Sequence, residues 1–443
     1  IIDIGEKINY IKGSPEKLLP LCKTYVAKSG RKEQLLNKGI LEQEIKKKTR
    51  EGIRAILLVY NDNYNLERLE RLTLIGVLYI KDDVRKEARS GVELVQNAGI
   101  QTVMITGDNK DTAISIGKEV GLITNREDVV LTSDELNRLS DNEVKKILPR
   151  LKIVARSMPQ DKSRLVRLAE EENLVVGMTG DGVNDAPALK KADVGFAMGS
   201  GTEVAKEASD IVILDDNFLS IASAIFYGRT IFKSIRKFII FQLTINLCAV
   251  SLSIIGPFIG IESPVTVMQM LWINMIMDTL AGIAFSYEPP LKSYMEEKPK
   301  PKDEKIMNSY MYSEIIFTGI YSTLLCVFFL KSNWIETIYR TNGTDKYLMT
   351  AFFALFIFMG IFNCFNARTP RLNLLSNLSK NKVFIIIIIF IIIVQLYLIY
   401  YGGDLFRAYG LSPKELGITI VLAATVIPVD WLRKLVTKKT RIV

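Results

Sequence analysis

Apolar and polar residues are distributed in two different ways along this chain. Up to about Asp216, short apolar runs alternate with charged segments of helical periodicity; beyond Phe238 the apolar runs lengthen towards membrane thickness. In the earlier stretch Leu72–Ile80 and Leu174–Met178 read as buried strands, and Gln101–Ile105, Lys152–Arg156 and Ile211–Leu214 as further strands. Amphipathic segments follow several of them: one to about Ala98, with Val92 and Val95 inward, one from Lys110 to Val120, and one to about Glu172. This repeated strand-turn-helix order predicts an α/β fold with a doubly wound parallel sheet.

From Asn217 a helical pattern continues without a break for about 40 residues, or ~60 Å at 1.5 Å per residue. Candidate membrane spans then fall at roughly 238–257, 265–286, 311–331, 349–366, 383–401 and 415–432, an all-α membrane domain of six helices. Lys and Arg gather in the loops 290–310 and 367–382 and in the tail, while 258–264, 332–348 and 402–414 are poorer in them. The positive-inside rule then puts the preceding soluble region and the C-terminus in the cytoplasm. The expected divisions are 1–76, 77–216, a stalk helix 217–237 and a membrane domain 238–443.

Composition adds less. A length of 443 residues accommodates two or three domains, and the charge of +9 is carried largely by Lys and Arg flanking apolar runs. No basic stripe interleaved with aromatics occurs, so membrane lipid, not nucleic acid, is the predicted partner. Cys22, Cys248, Cys326 and Cys364 are isolated and read as reduced, buried small residues. The first residues show no secretory-leader pattern.

The densest chemistry lies in Leu174–Gly199, LVVGMTGDGVNDAPALKKADVGFAMG. A buried strand ending in Thr179-Gly180-Asp181-Gly182 would hold Asp181, Asn184 and Asp185 in the crevice at the carboxyl ends of the strands. Hard oxygen ligands beside helix N-terminal amides suit Mg²⁺ and phosphate, and Pro187 fits a first helical turn. Thr106-Gly107-Asp108 repeats a strand-turn-helix corner with an oxyanion-binding hydroxyl and backbone donors. Lys162, in the first turn of its helix, opposes the helix dipole unless it faces a phosphate or carboxylate. In the membrane region Asp278 sits in mid-span, where a carboxylate is costly and marks a functional site by default. Asn274 lies one helical turn before it, and Gln242 and Asn246 are spaced to share a face of the preceding span. Those polar residues suit either a dehydrated cation or, for Gln242 and Gln269, helix-to-helix hydrogen bonding.

The run TGDGVNDAPALKKADVGFAMG closely resembles the hinge motif of P-type ATPases, cation pumps whose catalytic domain is of the haloacid-dehalogenase type. QLTIN and QMLWINMIMDT, followed by EPP, resemble the fifth and sixth membrane helices of Ca²⁺ pumps of the plasma-membrane kind. The resemblance implies ATP-driven Ca²⁺ transport through an aspartyl phosphate, with H⁺ counter-transport. It implies catalytic roles for Thr106, Gly107, Asp108, Lys162, Asp181, Asn184 and Asp185, with Asp181 holding Mg²⁺. Lys12 in KGSPE and Arg54 in GIRAILLVY match ATP-binding positions of a nucleotide-binding domain. Residues 1–76 would then be the C-terminal portion of that domain, and 77–216 the phosphorylation domain. Asp82 and Arg85 match a DPxR hinge in which Asp83 replaces Pro. One Ca²⁺ site of Asn246, Asn274 and Asp278 is implied, because Ala249 and Met277 stand where two-site pumps have Glu and Thr.

The DKTGT nucleophile, the actuator domain with its TGE loop and the first four membrane helices are not among these residues, nor is the phosphorylation domain's first strand. The chain thus reads as the C-terminal half of a pump, inactive alone, whose partner is the N-terminal half on the same polypeptide or a separate chain. Alternatives are a secretory-pathway Mn²⁺/Ca²⁺ pump, which Asn246 argues against, and a catalytically inactive, pump-derived regulatory membrane protein. A multi-pass location in the plasma membrane is expected. Asn342-Gly343-Thr344 is a glycosylation sequon on the outer side.

Overall fold

The computed structural model describes residues 2–3, 9–50, 53–61, 71–81, 84–260, 264–341 and 344–440. The chain forms two compact units, Ile1–Ile225 with Met295–Glu304, and Phe226–Tyr294 with Lys305–Val443.

The described residues of the first unit form three sheets. A six-stranded sheet runs in the order Ile2–Asp3, Asn9–Gly13, Arg54–Asn61, Leu72–Ile80, Cys22–Val26, Lys32–Gln34. Its pairings are antiparallel except that between Cys22–Val26 and Leu72–Ile80. Leu57 and Val59 on one strand and Leu72 and Leu74 on the next bury their side chains in its core. The strand Leu72–Ile80 pairs antiparallel with Arg54–Asn61 from Arg54 to Tyr60, so it crosses the expected 76/77 division and is not part of a parallel sheet. Its apolar run identified a strand but not a partner; Leu78, Tyr79 and Ile80 remain exposed.

Two parallel three-stranded sheets make up the rest. In one, Leu151–Ala155 lies between Met104–Ile105 and Val129–Thr132; in the other, Val194–Met198 lies between Gly177–Gly180 and Ile211–Ile213. Among the described residues no strand pairs with the outer edge of Met104–Ile105 or of Gly177–Gly180. The helices Ala88–Asn97, Lys110–Glu119, Pro159–Glu171 and Ala186–Lys191 alternate with these strands, and Val92 and Val95 are buried. The strand predicted from Leu174 starts only at Gly177. Asn173, at φ 60°, ends the preceding helix, and Leu174 N–H bonds back to the Ala169 carbonyl, so Leu174 and Val175 are used in the turn and stay exposed.

Among the described residues six helices are long and apolar enough to cross a membrane: Phe218–Phe258, Val267–Ser286, Ser309–Lys331, Lys346–Arg368, Lys382–Tyr401 and Pro413–Thr437. The first begins within the first unit and continues into the second. Lys346–Arg368 is the most buried, its Phe352–Ile357 stretch forming the core of the second unit with Phe241, Phe285 and Phe384. All four cysteines are buried and unpaired.

Candidate functional site

In the first unit the chemistry collects at the carboxyl ends of the two parallel sheets. Thr106 Oγ donates to Asp108 Oδ2 at 3.0 Å and accepts from the Asp108 amide at 3.1 Å, so the Thr-Gly-Asp turn closes on itself. Two backbone bonds tie this turn to the end of the neighbouring strand: Ser157 N–H to the Thr106 carbonyl and Arg156 N–H to the Asp108 carbonyl, both 2.9 Å. That strand leads into helix Pro159–Glu171, which carries Lys162 in its first turn. Lys162 Nζ forms an ion pair with Asp185, and both side chains are largely buried. The Asp185 Oδ2 also accepts the Asp181 and Gly182 amides, each at 3.2 Å. A continuous path of bonds therefore joins the Thr106 turn, Lys162 and the Asp181–Asp185 loop.

Local sequence explains the loop. Val183–Asp185 forms a single 3₁₀ turn leading directly into helix Ala186–Lys191, where Pro187 occupies a position needing no amide hydrogen. Gly180 is required by proximity, since a Cβ there would sit 2.4 Å from the Asp185 Cβ. Asp181 and Asn184 are exposed, and the Asp181 carboxylate accepts no hydrogen bond from the described residues. An open hard-oxygen ligand on a turn rich in backbone amides is a donor set that fits Mg²⁺ with a phosphate.

Other predicted positions are more scattered. Lys12 is opposite Leu58 across an antiparallel pair, and Arg54 is on the same strand and face as Leu58. Both cations are exposed on the face turned away from Leu57 and Val59, which also carries the Tyr10–Tyr60 ring pair at 6.1 Å. Arg85 donates to the Asp215 carbonyl at 3.4 Å, whereas Asp82 and Asp83 lie outside the described residues, as do Asn342 and Gly343 of the sequon.

Sequence reasoning passed over Asp161. This buried carboxylate accepts from Ser133 Oγ at 2.6 Å, Asn137 Nδ2 at 3.1 Å and the Met158 amide at 2.8 Å. It anchors the helix start that presents Lys162. An Asp at the third helical position after Pro159 was the available signal.

In the second unit Asp278 is buried, 3% exposed, and accepts from Gln242 Nε2 at 2.7 Å. Its Oδ1, the Gln242 Oε1 and the Trp272 Nε1 are buried without partners among the described residues. Asn246, one α-turn from Gln242, is half-buried. Asn274 is exposed, whereas Asp278 is buried. The segment that carries Asn274 up to Asp278, Trp272–Met277, is a π-helical turn and not the α-helix that the expected spacing assumed. Among the described residues no group of three or more Cys, Asp or Glu side chains gathers around Asp278.

Comparison with known proteins bears directly on this pairing of sites. Residues 4–193 match the family model for haloacid dehalogenase-like hydrolases, 168–225 match a second model of that description, and 262–436 match that for the cation transporting ATPase C-terminus. The chain belongs to the cation-transporting ATPases. It is 37% identical over 441 residues to plasma membrane calcium-transporting ATPase 4 of Bos taurus, covering 92% of this chain and 36% of that protein. It is 39% identical over 370 residues to calcium-transporting ATPase 2 of Cryptococcus neoformans, covering 82% of this chain and 26% of that protein. With calcium-transporting ATPase 3, plasma membrane-type, of Oryza sativa the identity is 34% over 453 residues, covering 97% and 44%. This family member thus spans less than half the length of these relatives. It carries a haloacid dehalogenase-like unit and a multi-pass helical unit on one chain.

Proposed function

We propose that the whole protein couples ATP hydrolysis to Ca²⁺ transport across a plasma membrane, with the phosphorylated aspartate on a residue outside this chain. The observation that carries the reading is the coexistence of the Lys162–Asp185 crevice and the buried Asp278 on one polypeptide. Thr106 and the turn amides would hold the transferred phosphate, and Lys162 would balance its charge. Asp185 orients Lys162 and closes the loop; Asp161 fixes the helix start. Asp181, with Asn184 beside it, would ligate Mg²⁺, which supplies charge neutralisation to the phosphates when bound. Lys12 and Arg54 would receive ATP from the open face of the six-stranded sheet, while Arg85 with Asp82 would serve as the hinge.

Asp278 and Gln242 each keep one buried oxygen free for the transported cation, and Asn246 lies a turn away. Ca²⁺ takes six to eight oxygens, so other segments of the whole protein must complete the shell. Asn274, exposed in this structure, would join it by turning inward. Proton counter-transport and a cytoplasmic first unit belong to the same reading. In it, the continuous helix from Phe218 links the phosphate chemistry to Gln242. Labelled ATP tests this. The full-length protein is expected to form an acid-stable, Ca²⁺-dependent phosphoenzyme that residues 1–443 alone do not form. A full-length protein that stays unlabelled with Ca²⁺ present overturns it, in favour of a regulatory membrane protein; labelling equally well supported by Mn²⁺ would assign the broader cation choice.

A further inference from the structure

One concave site in the second unit plays no role in the chemistry above. A cavity of about 490 Å³ opens between the residues that follow helix Val267–Ser286 and those joining helix Lys346–Arg368 to helix Lys382–Tyr401. Lys292, Arg371 and Lys380 line it with Ser293, Asn377 and Leu291. None of the three cations has a side-chain hydrogen bond or ion pair among the described residues.

The adjoining carboxylate cannot neutralise them. Glu288, two residues before the cavity wall begins, is buried and already shared: Lys237 Nζ is 2.8 Å from it, Arg368 3.3 Å and the Asn381 amide 3.0 Å. Arg371 follows Arg368 by one helical turn's worth of residues, and Lys380 immediately precedes Asn381. The neighbourhood therefore carries a surplus of positive charge, and its exposed members converge on one hollow. Like charges held around a concave surface raise its potential and attract an anion. An Arg fork and two ammonium groups, with a hydroxyl and an amide beside them, match the geometry and charge of a phosphate. The cavity also has an apolar wall, Leu291 with Pro290 and Phe226, able to receive a glycerol or hydrocarbon edge. These loops are the Lys/Arg-rich ones, which by the positive-inside rule lie at the cytoplasmic headgroup level.

We propose that this cavity is a binding site for a phosphate monoester, the chemistry common to an anionic lipid headgroup and a soluble phosphate ester. The test uses the purified full-length protein in neutral phosphatidylcholine nanodiscs, with binding read by isothermal titration at low salt. One arm adds short-chain phosphatidic acid and the other glycerol 3-phosphate, which presents the same phosphate without the acyl chains. Saturable binding in either arm is expected, weakened tenfold or more in Lys292→Gln/Arg371→Gln/Lys380→Gln and retained within threefold in Lys292→Arg/Arg371→Lys/Lys380→Arg. Saturation by the lipid alone assigns the headgroup as the source; comparable saturation by glycerol 3-phosphate assigns a soluble ester. Should the neutralised variant fail to fold, the three single Gln variants are each expected to lose two- to fivefold. Binding unchanged by neutralisation, or no saturable binding in either arm, overturns the proposal. None of the three residues belongs to the ATP or cation sites, so failure here leaves the transport reading untouched, and the reverse.

Discussion

The two acidic centres of this protein handle charge in opposite ways. Asp185 has a cation and two backbone amides around it, so its carboxylate is fully engaged before any ligand arrives. Asp278 has one neutral amide, and its second oxygen has no partner among the described residues. A charge supplied with its own counter-ion serves as scaffold: breaking such a pair leaves the other charge stranded. A buried carboxylate left half-satisfied costs stability, a cost offset by taking up a proton or by positive charge supplied from elsewhere. One centre holds its neighbours in place, and the other keeps an oxygen without a partner among the described residues.

The sharpest way to break this comparison is to delete both acids. Asp185→Ala is expected to abolish phosphoenzyme formation in the full-length protein. It should also destabilise the first unit by about 3 kcal/mol, since Lys162 loses its partner in a mostly buried site; urea denaturation checks the second point. Asp278→Asn should likewise remove Ca²⁺-dependent phosphorylation, yet leave stability within about 1 kcal/mol of wild type or above it, because a half-paired buried charge disappears. Equal destabilisation by both would erase the distinction. Gly180→Ala comes next: its Cβ would collide with Asp185, and a loss of tenfold or more in phosphorylation rate is expected with roughly 1–3 kcal/mol of overpacking strain.

The smallest effect concerns Glu135, which caps its helix beside the Thr106 turn. Lys110, bonded at 2.7 Å, and the Thr132 amide hold its carboxyl below the usual glutamate range. A lowered folded pKa means its stabilisation is present above the ordinary glutamate range and lost as pH falls through the folded value. The Tm gap between wild type and Glu135→Gln should therefore narrow as pH drops from 7 towards 3. Because the pair is substantially exposed, the gap at pH 7 corresponds to no more than about 0.5 kcal/mol; a gap that widens on acidification would contradict the assignment.

Most of the site in the first unit was legible in advance, because strand-turn-helix corners keep their chemistry local. Thr106, Lys162, Asp181 and Asp185 each lie within a few residues of a strand end, and parallel strands point those ends the same way. Asp161 was harder to find, since its importance lies in Ser133 and Asn137, far away in sequence. The membrane helices were visible from apolar length alone, yet the pairing within them was not. Arg433 and Lys434 stand three and four residues after Asp430, a local spacing, but the buried Glu314 that also pairs with Arg433 comes from another span, which no local pattern announces.

What the chain's order of residues determined is everything that depends on near neighbours: the strands, the spans, the Thr-Gly-Asp turns and one acid in mid-span. What only the folded molecule decided is who faces whom. Asn274 is the clearest instance: four residues before the buried Asp278, in a segment that winds as a π-helical turn, it is exposed. Leu72–Ile80 is another, an apolar run whose partner and direction came from across the sheet. Periodicity records the average pitch of a segment, whereas helix winding, strand partners and the fate of each buried polar atom are settled by packing against residues distant in sequence.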